Sequence, residues 1–137
     1  MPPMDELHEY DIKMDGKILY RNLSYQIMQA VFEVHNKLGP GFLESVYEEA
    51  LVHELTLRQI PFERQKEIKI RYKAKLVGVH RLDLVVEDKI ILELKAVTEL
   101  TDAFKQQTLS YLKATGLKLG ILINFGSKRV EYIRMAN

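Results

Sequence analysis

The stretch Lys89-Ile90-Ile91-Leu92-Glu93-Leu94-Lys95-Ala96-Val97 decides how this chain folds. Its β-branched and aliphatic residues read as a buried strand. Alternation sends Ile90, Leu92, Leu94 and Ala96 to one face and Ile91, Glu93 and Lys95 to the other. The first face is wholly apolar, and the second mixes one aliphatic residue with two opposite charges. The preceding segment, Val79 to Val86, reads as an equally strong strand in which Arg81, Asp83 and Val85 face away from Leu82, Leu84 and Val86. The connection Glu87-Asp88-Lys89 is three residues long, which pairs Val86 with Ile90 and sets Asp83 opposite Glu93. Two carboxylates held that close among apolar neighbours repel, and a proton or a divalent cation relieves the repulsion. Lys95 is placed to orient a metal-bound water, to help deprotonate it, or to hold a phosphate by charge. The same residues also suit a plain amphipathic strand with its charged side in water, and an isolated Glu-x-Lys signals no more than that.

On the N-terminal side, Ser24 reads as an N-cap for a helix over about 24–38, with Ile27, Val31, Val34 and Leu38 at helical spacing and Gly39-Pro40-Gly41 as its stop. A second helix follows from Phe42 or Leu43 to about Arg58, its stripe formed by Leu43, Val46, Tyr47, Ala50, Leu51 and Leu55. Ile68, Ile70 and Tyr72 then alternate with Lys69 and Arg71, a strand that turns at Lys73-Ala74 into a further strand from about Leu76. Beyond Val97, Thr101 caps a helix to Thr115 stopped by Gly116, Leu119 to Phe125 reads as a fully buried central strand, and Val130 to Arg134 as a last short one. The expected order is ααββββαββ, an α/β domain with helices packed on a mixed sheet. Asp15-Gly16 signals a hairpin in residues 1–22, read as an extension that is a hairpin or partly disordered, with 23–137 as the single domain.

The 137 residues, 47% hydrophobic and 28% charged, suffice for one compact core. With no cysteine, disulfides and thiolate metal sites are excluded, so any bound metal is held by carboxylate, imidazole or carbonyl groups, which favours a hard ion such as Mg²⁺. No run approaches the roughly 20 apolar residues of a membrane span, and the N-terminus is acidic where a secretory signal is basic; a cytoplasmic protein without membrane association is expected. The net charge of +1 says little, but from Arg58 to Arg81 eight basic residues stand against Glu63 and Glu67. That local excess fits a nucleic-acid footprint, and it fits equally the lysine-studded face of an edge hairpin guarded against aggregation. His8, His35, His53 and His80 lack metal-ligand spacing and read as surface or capping residues; Tyr47 and Tyr111 read as hydrogen-bonding core aromatics.

Asp83 followed by Glu93-Leu94-Lys95 resembles the signature of the PD-(D/E)xK nuclease superfamily, the restriction-endonuclease-like fold. Gly41-Phe42-Leu43-Glu44-Ser45-Val46-Tyr47 matches the motif of the GxxExxY family, a branch of it, and further blocks match in order from about Leu23 to Ile133. The resemblance implies a restriction-endonuclease-like mixed β-sheet flanked by α-helices. It implies Asp83 and Glu93 as metal ligands, the Leu94 carbonyl as a third, and Lys95 as base or water-orienting group. Glu44 takes the place of a helical acidic residue that joins such sites, and Gln107 that of a helical glutamine beside them. The superfamily's proline is absent, Leu82 standing before Asp83 instead.

Read from the residues alone, Glu44 sits at the margin of its helix's apolar stripe, and a glutamate in a first turn is also explained by the helix dipole. Gln107 shares a stripe with Ala103, Phe104, Ser110, Tyr111 and Ala114, where an amide must find a partner, a strand-terminus hydrogen bond being the structural alternative. The expected function is an Mg²⁺-dependent nuclease, Mn²⁺ substituting, that hydrolyses phosphodiester bonds of DNA or RNA. The alternative is a nucleic-acid-binding or assembly module that keeps the fold without useful catalysis. A domain of this size has no second module to choose a target, which points to a homodimer or a partner protein.

Overall fold

The computed structural model describes residues 13–14 and 17–137. Strands β1 (Lys13–Met14) and β2 (Lys17–Ile18) pair antiparallel, as the expected hairpin would; its turn, Asp15-Gly16, and His8 lie outside the described residues. There follow α1 (Arg21–Leu38), α2 (Glu44–Leu57), β3 (Phe62–Tyr72), β4 (Lys75–Val86), β5 (Ile90–Lys95), α3 (Asp102–Thr115), β6 (Leu119–Asn124) and β7 (Glu131–Ala136).

Between α2 and α3 there are three strands, not the expected four. Lys75–Val86 is continuous, and the break anticipated before Val79 is a bulge: pairing passes from Ile70↔Gly78 to Arg71↔Leu76, skipping Val77. Helix α1 also starts at Arg21, before the expected cap. Ser24 is buried inside the helix, where its hydroxyl meets Arg134 at 3.4 Å, and Arg134 also donates to the Leu19 carbonyl at 3.0 Å. A hydroxyl selected for a buried contact looks the same in sequence as one selected for capping. Thr101 does cap α3, accepting from the Phe104 amide, and Gly116 closes that helix in the left-handed conformation.

The sheet runs β3-β4-β5-β6-β7, antiparallel throughout except for the parallel pair β5 and β6. These two are the near-continuous apolar strands because helices cover both their faces. On one side α1 and α2 bring Ile27, Val31, Tyr47 and Leu51 onto Leu84, Leu92, Leu94 and Ile121; on the other, α3 brings Tyr111 and Leu112 onto Leu82, Val85, Ile91 and Leu122. Each such side chain contributes roughly 1.5–3 kcal/mol, enough in sum to carry a costly buried carboxylate at Glu93. Among the described residues no helix is long and apolar enough to cross a membrane.

Strand β4 pairs with β5 only over Leu84–Val86, yet with β3 as far out as Lys75. Beyond Asp83, β3 and β4 therefore leave the sheet as a two-stranded ribbon.

Candidate metal centre at the β4–β5 fork

The register is the expected one, with Val86↔Ile90, Val85↔Ile91 and Leu84↔Leu92. The next pair would be Asp83 with Glu93, and there the ladder stops. Instead of backbone meeting backbone, Asp83 Oδ2 accepts the Leu94 amide at 2.8 Å. The facing of β4 changes at the same point, since Leu82 packs on the α3 side and Leu84 on the α1 and α2 side. This corrects the strict alternation read from the sequence, which grouped Leu82 with Leu84. The slip turns the Asp83 carboxylate into the fork between the strands.

Glu93 is 4% exposed and its Oε1 has no hydrogen-bond partner among the described residues. Burial first, then the charge of Asp83 and hydrogen bonding with its carboxyl, push the Glu93 pKa up to about 9, while Lys95 and the Asp83 backbone amide pull it down. The two carboxylates thus act on each other directly, as the register implied.

Lys95 ends β5 half-buried, its Nζ 4.8 Å from the centre of the Phe104 ring. The backbone after it is clamped by buried Asn124, whose Oδ1 accepts from the Val97 and Gly126 amides and whose Nδ2 donates to the Val97 carbonyl, all at 2.9 Å. The Phe125 amide donates to the Lys95 carbonyl at 2.8 Å. Asn124 is a site-building residue that the sequence reading missed; a buried asparagine ending an apolar strand was the available signal.

Glu44 lies in the first turn of α2. Partial burial of its carboxylate, then the Asp83 charge, raise its pKa, and Lys95 opposes them. It therefore senses the fork, but from the α2 side of the sheet, opposite to α3. The loop that leads into its turn is tied by Tyr47, whose hydroxyl donates to the Gly39 carbonyl at 2.5 Å and accepts from the Phe42 amide at 3.2 Å, with its ring stacked on Phe125 at 4.8 Å.

Gln107 differs from expectation in being exposed, as are Ala103, Ser110 and Ala114; the buried stripe of α3 is Thr108, Tyr111 and Leu112, with Phe104 half-buried. The expected stripe was rotated by part of a turn, so the amide needs no buried partner. Gln107 and Glu44 consequently do not approach from one covering face. Leu94 buries its side chain among the α1 and α2 residues and leaves only backbone to the fork.

Two of the histidines expected to be surface or capping residues pack inward instead. His35 is buried, its Nε2 3.0 Å from the Ser127 carbonyl and its ring stacked on Phe125. His80 is half-buried and stacks on Tyr111 at 4.0 Å, with Tyr111 Oη 3.2 Å from its Nδ1. Burial, then Glu93 and Asp83, push the Tyr111 hydroxyl up to about 12, which places this aromatic pair beside the carboxylates. His53 is exposed, as expected. Among the described residues no three or more His, Cys, Asp or Glu cluster as a ready-made ion cage.

The sequence profile of the PD-(D/E)XK nuclease superfamily matches residues 21–135, from the first residue of α1 to the penultimate residue of β7. The solved structure titled "Crystal structure of SSO0001" is similar at a TM-score of 0.49 and 18% identity, over 68% of this chain and 49% of that one. The chain thus spans about half the length of that protein. No curated protein matches. The profile match covers nearly all of the sheet and its helices, and the chain belongs to the PD-(D/E)XK nuclease superfamily.

Proposed function

We propose that this member of the nuclease superfamily hydrolyses phosphodiester bonds of DNA or RNA with Mg²⁺, or Mn²⁺ in its place, at the fork lined by Asp83, Glu93 and Lys95. Superfamily membership supports the reaction and substrate class. The observation that carries the reading is Glu93, a buried carboxylate with an unpaired Oε1 set against a second carboxylate. Such a group costs several kcal/mol unless a proton or a cation accompanies it, and a leucine there would cost nothing of the kind.

The donors fit a hard ion. Asp83, Glu93 and the Leu94 carbonyl offer oxygen only, and Mg²⁺ is commonly held by one or two carboxylates with water completing its shell. That accords with the lack of a larger acidic or histidine cluster among the described residues. When bound, the ion would polarise the scissile phosphate and lower the pKa of the attacking water. Lys95, its charge held over the Phe104 ring, then holds a phosphate oxygen or takes part in moving the water's proton. Glu44 contributes a further acceptor from the α2 side, and Gln107 offers an exposed amide to the substrate. Glu93 gives up its proton as the ion enters, so ion affinity rises with pH.

The tie from Tyr47 to Gly39 and Phe42 supports placing the chain in the GxxExxY branch, because it gives the Gly41-to-Tyr47 spacing a purpose: the tyrosine fixes the loop that delivers Glu44. We take residues 23–137 as the nuclease unit, 1–22 as an extension, and the cytoplasm as its place of action. The deciding experiment incubates the protein and Asp83→Ala with labelled single- and double-stranded DNA and RNA, in Mg²⁺, Mn²⁺ or chelator. Cleavage by the parent alone, and only with metal, is expected. Nucleic-acid binding without cleavage in either metal would hand the fold to the binding-module reading.

A further inference from the structure

The excess of positive charge between Arg58 and Arg81 separates into two groups. Arg58 pairs with Glu54 at 2.6 Å, Arg64 with Glu48 at 2.8 Å and also with Glu49, and Lys66 with Glu63 at 3.1 Å and Asp88 at 3.5 Å. These three are neutralised, Arg58 at the end of α2 and Arg64 and Lys66 at the base of the hairpin. Lys69, Arg71, Lys73, Lys75 and Arg81 engage no ion pair among the described residues, and all five are exposed. They stand on the ribbon that β3 and β4 form beyond the fork.

Their arrangement is directional. Cross-strand partners share a face, so Arg81 (opposite Glu67), Lys69 (opposite Val79) and Arg71 (opposite Leu76) form a row on one face; Lys73 stands in the turn at the tip, and Lys75, opposite Tyr72, lies on the other face. The row starts two residues from Asp83. The opposite face carries Ile68 and His80, which turn toward α3, so the charged face is the free one. Val77, Val79 and Leu76 are exposed among the cations at 57%, 52% and 44%.

We infer that this ribbon is a duplex-DNA arm, its free face laid against the phosphates and groove on one side of the cleavage point. This rests on the nuclease reading of the fork. Charge complementarity and continuity with the fork select a phosphate backbone, and three further points select a DNA duplex. A two-stranded ribbon fits the roughly 12 Å major groove of B-DNA, whereas the A-form groove is deep and narrow. The exposed Val and Leu side chains suit thymine methyl groups. The ribbon also exposes a single aromatic ring, Tyr72, whereas single-strand binders stack successive bases on several. From Asp83 to Lys75 the ribbon reaches about 26 Å at ~3.3 Å per residue, or about eight base-pair steps of ~3.4 Å.

The test measures binding without cleavage: fluorescence anisotropy in chelator, from 50 to 200 mM KCl, with labelled 20-base-pair DNA, its single strand, and duplex RNA. The parent is compared with Lys69→Gln/Arg71→Gln/Arg81→Gln and with an equal charge change elsewhere, Lys37→Gln/Lys113→Gln/Lys118→Gln. Four phosphate contacts, from the row and the tip lysine, give a log–log salt slope of about −3.6 on duplex DNA, and the ribbon variant should lose roughly three units of it and about tenfold or more in affinity. The control should keep the parent's slope. Single Arg71→Glu, which alters one exposed side chain, should weaken binding in the same direction. Equal slopes for ribbon variant and parent would overturn the inference, as would a preference for single strands or duplex RNA, or a variant that merely self-associates. Ribbon-dependent binding without metal-dependent cleavage would instead sink the nuclease reading and leave the arm standing.

Discussion

The carboxylate of Asp83 occupies the hydrogen-bonding position that the β4 backbone vacates, taking the Leu94 amide at 2.8 Å, and it does so beside a Glu93 whose Oε1 has no hydrogen-bond partner among the described residues. One aspartate therefore has two jobs. It ends the ladder between β4 and β5 without leaving that amide bare, and it crowds negative charge onto its neighbour.

The two jobs separate in Asp83→Asn, whose amide oxygen can still accept from Leu94 but which brings no charge. Ion binding should weaken at least tenfold by calorimetric titration, while the melting temperature in chelator stays level or rises as Glu93 is relieved. Asp83→Ala should lose ion binding too, and additionally about 1–2 kcal/mol from the unsatisfied amide. An asparagine variant that binds Mg²⁺ like the parent would exclude Asp83 as a ligand.

Glu93 sets the pH dependence. Its pKa is raised from 4.5 to about 9 on folding, so between those values the folded chain holds a proton that the unfolded chain has released. The stability this proton confers is full below about pH 4.5 and is lost as pH climbs to about 9. In chelator, the melting temperature should fall over that window more steeply for the parent than for Glu93→Gln, which has no proton to lose. Saturating Mg²⁺ should flatten the parent's decline. Superimposable melts of parent and variant across the window would show that Glu93 is not so strained.

Much of this was legible in the sequence because local signals agreed with tertiary demands. The β4–β5 register followed from a three-residue connection, and helix α3 from its threonine cap and glycine stop. What escaped depends on long-range partners. Ser24 was read as a cap because nothing local reveals that Arg134 lies above it. His80 reads as a surface or capping residue because its burial depends on Tyr111, 31 residues away. The slip of facing at Asp83 broke the alternation on which the strand reading rested, and it did so at the candidate site.

Replacing Lys95 should separate cleavage from ion binding. With Asp83 and Glu93 intact, Lys95→Ala should keep Mg²⁺ affinity within a few-fold and reduce cleavage by the roughly 10²–10⁴-fold typical of a lost proton-transfer group. Side-by-side titrations and cleavage assays check this, and undiminished cleavage would remove Lys95 from the mechanism.

Gly126 tests whether the clamp behind Lys95 matters. A Cβ there would lie 2.4 Å from both the Val97 amide nitrogen and carbonyl oxygen and 2.7 Å from the Ala96 carbonyl carbon, all of them backbone atoms that cannot rotate aside. Gly126→Ala should therefore push the segment after Lys95 off Asn124 and cost roughly 2–4 kcal/mol, read as a lowered denaturant midpoint. Gly116→Ala is the comparison: its Cβ meets nothing within 4 Å, so only the left-handed backbone is penalised, by about 1 kcal/mol.

Tyr47 should act through Glu44. Its hydroxyl bridges the Gly39 carbonyl and the Phe42 amide in a loop that needs left-handed glycines at 39 and 41, and that loop leads directly into the turn carrying Glu44. Tyr47→Phe keeps the ring on Phe125 and removes only the bridge, at about 1–2 kcal/mol for two groups left without their partner. A purely structural role predicts that loss of stability with cleavage unchanged at temperatures where both proteins are folded. If the bridge holds Glu44 in position, kcat falls with KM nearly constant, and the fall in Tyr47→Phe/Glu44→Gln is no larger than in Glu44→Gln alone, because the tyrosine has nothing left to position. Additive losses in that double-mutant cycle would mean that the two residues serve the protein independently.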